Sequence, residues 1–237
     1  MKKVLKLFLI ILLVFFLIGI CLIGRKVTIL TKLDKSVSKL ENTKDNIYMK
    51  VNNVVDSTKE VETELFIKGD IEKSINVVEE TTKRIQIVYP TERKVFIEAD
   101  GNKTLSIYKE TAAKRTTDLN ASSATHTVLP NYTHSMSFIE RIIIALNTNI
   151  KTTSIDGKEC YELSGMHSPI FLYHENSISM SLYIEKETGL PIKLVEKIEE
   201  DGEEKEYLTE YEIKFDVVTD EDLKEPDISE YTIQENN

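Results

Sequence analysis

The side chains able to do chemistry are few and dispersed along the 237 residues. The four histidines are His126, His134, His167 and His174, and their spacing matches no familiar metal-ligand pattern. A folded-over segment could bring His126 and His134 together; surface or packing histidines are the simpler reading. Cys21 and Cys160 are the two thiols, and Cys21 lies in a long apolar run, which excludes a disulfide within the folded part. Cys160 alternates with its neighbours in Lys158-Glu159-Cys160-Tyr161-Glu162-Leu163, as a small buried side chain of a strand does. No Gly-x-Ser-x-Gly elbow, His-Glu-x-x-His helix, Cys-x-x-Cys pair, phosphate loop or calcium loop is present. Neither catalytic residues nor a cofactor or metal is therefore expected, and the chain reads as a binding module rather than an enzyme.

Charge narrows the partners. The formal net charge is −10, and it is unevenly spread. Residues 1–26 hold five basic residues and no acidic one, whereas residues 196–237 hold 17 acidic and 4 basic. No basic face is available for a nucleic acid, so that class is excluded. The acidic run from Glu196 to Glu212 is interrupted by strand-like alternation around Tyr207 and Tyr211, which suggests a solvated hairpin more than a cation site.

The elements that must position a binding surface begin with an apolar segment. Leu7 to Gly24 contains no charge, and Val4 to Gly24 is interrupted only by Lys6. Twenty-one helical residues span about 31 Å, enough for a hydrocarbon core. A cleaved signal peptide has a shorter apolar region and a small-x-small site, and a lipoprotein signal needs a small residue where Ile20 precedes Cys21. The expectation is a single-pass, uncleaved signal-anchor over residues 1–26, with an extracytoplasmic domain over 27–237. Basic residues flank both ends almost equally, so the acidic bulk decides the orientation.

Leu30, Leu33, Val37 and Leu40 then recur at helical spacing, predicting an amphipathic helix over roughly 27–44 that packs one face on the strands after it. From Ile47 the period becomes two, and about ten antiparallel strands are expected up to residue 233 in an up-and-down meander. Asp100-Gly101, Asp156-Gly157 and Asp201-Gly202 each lie between alternating runs, a strong hairpin signal. Residues 112–136 are rich in Ala, Ser, Thr and Asn and read as a flexible excursion. Ser137-Phe138-Ile139-Glu140 has the spacing of a capping box opening an apolar helix over roughly 137–147. A short helical turn is expected after Thr219.

The run Ser181-Leu182-Tyr183-Ile184-Glu185-Lys186-Glu187-Thr188-Gly189-Leu190-Pro191 resembles the strand–turn–strand of the LolA/LppX (outer-membrane lipoprotein carrier-like) superfamily. So do Tyr211-Glu212-Ile213-Lys214-Phe215 and the segment through Pro226 to Tyr231. The resemblance implies an α+β fold: a curved antiparallel half-barrel covered by helices, here preceded by the transmembrane helix. It also implies a carrier or sensor of lipids or lipidated proteins. The anchor and the missing lipobox depart from a shuttling carrier, and no residue aligns with the cavity arginine of the soluble carriers.

On that reading the inward positions Ile85, Ile87, Leu105, Ile107, Met180, Leu182, Ile184, Ile213 and Phe215 are candidates for an apolar ligand site, with 112–136 as its gate. Periodicity does not distinguish a cavity from a core filled by the two helices. The alternative function is an envelope sensor that docks a protein through its acidic C-terminal surface, Glu199, Glu200, Glu203 and Glu204 among it.

Overall fold

The computed structural model describes residues 2–42, 46–56, 58–78, 81–109, 136–165 and 177–236; within helices and strands, the side chains of 2–12, 15, 16, 18, 20, 41, 42, 59, 60, 235 and 236 are not among those described. The excursion expected over 112–136, apart from Met136, and all four histidines lie outside the described residues.

A single helix, α1, runs from Lys2 to Asn42. The apolar segment and the amphipathic stretch are thus one continuous helix, whose amphipathic part also packs on the strands. Among the described residues no helix is long and apolar enough to cross a membrane. Most side chains of the Leu7–Gly24 stretch fall outside those residues, so the anchor remains an expectation from the sequence.

Twelve strands are described, two more than expected, in one sheet of order β12-β6-β5-β4-β3-β2-β1-β11-β10-β9-β8-β7. They are β1 (Ile47–Val55), β2 (Thr58–Lys68), β3 (Ile71–Val78), β4 (Thr82–Val88), β5 (Glu92–Ala99), β6 (Asn102–Lys109), β7 (Asn149–Ile155), β8 (Lys158–Ser164), β9 (Ser177–Glu185), β10 (Pro191–Glu200), β11 (Glu203–Phe215) and β12 (Thr232–Asn236). The sheet is open. Instead of one meander there are two, β1–β6 and β7–β11, joined by antiparallel pairing of β1 with β11. β12 returns to the far edge and pairs in parallel with β6, a non-local contact that strand periodicity could not announce.

The turns follow their chemistry. Both residues of Asp100-Gly101, Asp156-Gly157 and Asp201-Gly202 have positive φ, the mirror-image turn that matches strand twist. Helix α2, Phe138–Asn147, opens at Ser137 with the complete capping box: Ser137 Oγ accepts from Glu140 N, and Ser137 N donates to Glu140 Oε2 at 2.6 Å. After Thr219 there is only a turn, closed by Thr219 N and Oγ1 on Asp222 Oδ2, both 2.7 Å. A three-residue 3₁₀ turn follows at Ile228–Glu230.

Register separates the two faces of the sheet. Ile47 and Met49 oppose Phe215 and Ile213 on β11 and Ile67 and Leu65 on β2. Directly opposed pairs carry this face outward through Glu72 and Ser74 to Val88 and Gln86, then to Val95, Ser106 and Tyr108. Helix α1 packs here: Leu30, Leu33, Val37 and Leu40 form a cluster with Met49, Leu65, Leu163, Met180, Leu182, Ile184 and Leu194, to which α2 adds Ile144 and Ala145. The reverse face has its own cluster of Ile85, Ile87, Phe96 and Leu105, covered by Tyr231 of the C-terminal segment.

Candidate functional site

The nine residues expected to line one apolar surface do not lie together. Met180, Leu182 and Ile184 are buried in the cluster sealed by α1, with Ile213 and Phe215 packed against it. Ile85, Ile87, Leu105 and Ile107 belong to the cluster on the opposite face. Alternation gives the phase within one strand, whereas the common face of strands from different meanders depends on register across the whole sheet. On the face that α1 shares, β4–β6 contribute the intervening residues Gln86, Val88, Val95, Ile97, Ser106 and Tyr108.

Two sets of polar contacts fasten α1 over its half of that face. At the β9–β10 turn, Lys32 Nζ donates to Lys186 O and, at 2.7 Å, to Glu187 O, while Ser36 Oγ donates to Thr188 O at 2.7 Å. Gly189 makes the approach possible. Its φ is +77°, and a Cβ there would stand 2.8 Å from Lys32 Cγ and Ser36 Oγ and 3.1 Å from Lys32 O. Glu185 closes the turn by accepting from Thr188 Oγ1 at 2.7 Å and pairing with Lys158 at 3.1 Å. Burial alone would raise its carboxyl pKa, but these partners hold it below the usual value.

The second set joins α1 to α2. Asp34, 5% exposed, accepts from Met136 N at 2.8 Å. Arg141 donates to Thr31 Oγ1 at 2.9 Å and to Met136 O at 2.7 Å, with Asp34 Oδ2 3.8 Å away. At the other end of α2, Lys26 Nζ donates to Ala145 O at 3.1 Å and Thr148 O at 2.6 Å, where a cation complements the carbonyl end of a helix. The sequence contained one signal for this network, an acidic residue placed beside the apolar stripe of α1. Its partners, about a hundred residues away, were not legible.

Beyond α1 the shared face changes character. None of Val88, Val95 or Ile97 belongs to the cluster that α1 seals. Val88 and Val95 are buried, while Val78 and Ile97 remain 40% and 37% exposed. The Arg93 guanidinium lies 5.0 Å over the Tyr108 ring. The reverse face is closed differently. Tyr231 meets Phe96 edge-on at 5.2 Å and donates to Glu98, and Lys73 Nζ donates to the carbonyls of Asp222 and Lys224, each 2.8 Å. Burial lowers the Lys73 pKa, against the pull of the Asp222 charge.

A cleft of about 350 Å³ lies on the reverse face, where Lys50, Asn52, Lys193, Glu210 and Glu212 converge. This lining is polar and does not suit an acyl chain. Among the described residues no group of three His, Cys, Asp or Glu side chains could hold a metal ion. Cys160 is buried, and desolvation raises its thiol pKa. Burial outweighs the nearby Lys158 and Lys186 charges, so it is a packing residue rather than a nucleophile. The acidic hairpin is partly neutralised in place: Glu204 pairs with Lys197 at 2.6 Å, and Glu200 accepts from Lys205 at 2.7 Å and Tyr207 at 2.9 Å.

Several solved structures align with most of the chain at low identity. A LolA superfamily protein from Nitrosomonas europaea aligns over 84% of this chain and 97% of its own at 12% identity, with a TM-score of 0.26. An uncharacterised conserved protein from Thermus thermophilus aligns over 88% and 98% at 11% identity, TM-score 0.41. The Pseudomonas aeruginosa MucA/MucB complex aligns over 82% of this chain and 61% of the matched one at 12% identity, TM-score 0.30. Similarity at this level carries no functional conclusion. No family model and no curated protein matches the sequence.

Proposed function

We propose that the chain is a membrane-anchored, extracytoplasmic, non-enzymatic domain that binds an apolar ligand, a lipid or a lipidated protein, on the α1 side of its sheet. The supporting observation is that, among the described residues, the cluster sealed by α1 does not extend over the whole of that face. Helix α1 fills the half formed by β1, β2 and β8–β11, so a ligand has no room beneath it without loss of the core. On the β3–β6 half, outside the α1 cluster, Val88 and Val95 are buried and Val78 and Ile97 partly exposed; Arg93 opposes Val88 and Arg84 opposes Ile97. Apolar positions flanked by two cations suit an acyl chain with an anionic head, each buried methylene contributing about 0.8 kcal/mol.

The test is uptake of a fluorescent fatty acid and retention of lipid in native mass spectra, using delipidated full-length protein. Ile97→Asp, at a position 37% exposed, is expected to weaken uptake about tenfold, which corresponds to about 1.4 kcal/mol. Absence of uptake by the parent protein at micromolar lipid would reject the reading. The sensor alternative, docking through the acidic hairpin, is favoured if charge reversal at Glu199 and Glu203 releases a protein partner while uptake is unchanged.

A further inference from the structure

Helix α2 leaves a large apolar surface uncovered. Phe138, Ile139, Ile143 and Leu146 are 65%, 69%, 51% and 60% exposed, although Ile144 and Ala145 on the same helix are buried. Four large apolar side chains on a ten-residue helix form a patch of the kind that marks an interaction surface.

The position of α2 along α1 names the occupant. Lys26 binds the carbonyls of Ala145 and Thr148, Thr31 binds Arg141, and Asp34 binds Met136 N. The two helices are therefore antiparallel neighbours, with the C-terminal end of α2 level with Lys26. The uncharged stretch of α1 ends at Gly24, two residues earlier, or about 3 Å along the axis. Leu22, 59% exposed, is four residues before Lys26 and hence on the same side of α1, directly below the end of α2. Leu13, Val14, Leu17 and Leu22 of α1 are exposed, and the outer face of α2 continues this apolar surface. From Lys26 to Asp34 is about 12 Å along α1, so α2 lies within or just above the headgroup layer bordering a span that ends at Gly24. Charge at this end agrees with such a neighbour. Lys26 binds the last carbonyls of α2 with Arg25 next to it in sequence, Lys151 follows the helix by four residues, Arg141 lies on the helix facing Asp34, and Glu140, held by Ser137 N, is the acidic residue on the helix. The acidic excess of the chain lies elsewhere, in residues 196–237, which hold 17 acidic and 4 basic residues.

We infer that the outer face of α2, through Phe138, Ile139, Ile143 and Leu146, rests in the interfacial layer of the membrane that holds α1, against anionic phospholipid. A second apolar contact beside the anchor fixes the tilt of the sheet over the bilayer and carries the α1-side face toward the lipid surface. The inference rests on the anchored reading of α1.

The test uses the full-length chain with Cys21→Ser and Cys160→Ser, carrying one added cysteine labelled with an environment-sensitive fluorophore. Leu146→Cys and Ile139→Cys report on α2, Leu17→Cys on the apolar stretch, and Ile233→Cys on the distant sheet edge. In vesicles of mixed zwitterionic and anionic phospholipid, the labels at 146 and 139 should shift to the blue. They should also lose intensity to a quencher carried on lipid headgroups, while the label at 233 keeps its aqueous emission. If the label at 17 reports the bilayer core and those at 146 and 139 stay aqueous, the inference fails and the anchor stands. If the label at 17 is also aqueous, the anchor reading itself fails. Shielding of 146 and 139 that depends on protein concentration in the absence of lipid overturns the inference in favour of a contact between copies.

Discussion

At the residue scale, Lys32 and Ser36 hydrogen-bond α1 to the β9–β10 turn. Gly189 combines a left-handed backbone with a side-chain site already occupied by Lys32 and Ser36. Gly189→Ala should cost about 2 kcal/mol in denaturant unfolding, since strain and displacement of α1 add. An Ala at Gly101, equally left-handed but with open space around it, isolates the strain alone and should cost less. Glu185 gives the turn a pH dependence. Its folded pKa lies below the unfolded value, so its contribution is present above the unfolded pKa and is lost as pH falls through the folded one. Glu185→Gln should therefore flatten the acid limb of a stability–pH profile below about pH 4.5 and leave its neutral slope unchanged.

At the element scale, α1 is at once a candidate anchor and the centre of the larger core. Leu33 is fully buried between the helix and the sheet, and Leu33→Ala should cost about 3 kcal/mol. Because the same rod would enter the membrane, loosening it should also increase hydrogen exchange at the β9–β10 turn, where Lys32 and Ser36 dock. The elements most accurately read beforehand have strictly local causes. The capping box placed α2, and three Asp-Gly dipeptides placed three hairpins, because their hydrogen bonds and positive φ angles are made within a few residues. The number of strands, the joining of two meanders through β1 and β11, and the parallel return of β12 depend on pairings separated by more than a hundred residues.

At the scale of the whole molecule, one sheet carries two independent cores. Leu33 lies in the cluster under α1 and Phe96 in the cluster under the C-terminal segment, with no member in common. The costs of Leu33→Ala and Phe96→Ala should therefore add to within about 0.5 kcal/mol in the double variant. A clear departure from additivity would mean that the two faces communicate. The sequence by itself determined the apolar stretch ending at Gly24, the amphipathic stripe after it, the phase of the alternating runs and the absence of familiar catalytic motifs. Each is a matter of composition or of spacing within one element. Only the tertiary structure decided that both stretches form one helix, that Ile85 and Ile87 face away from Leu182 and Ile184, that α1 and the C-terminal segment cover opposite sides, and that α2 keeps an apolar face uncovered beside the end of the apolar stretch of α1. A period of two gives every strand two faces; which of them meets a helix is settled by register across the whole sheet and by what packs upon it.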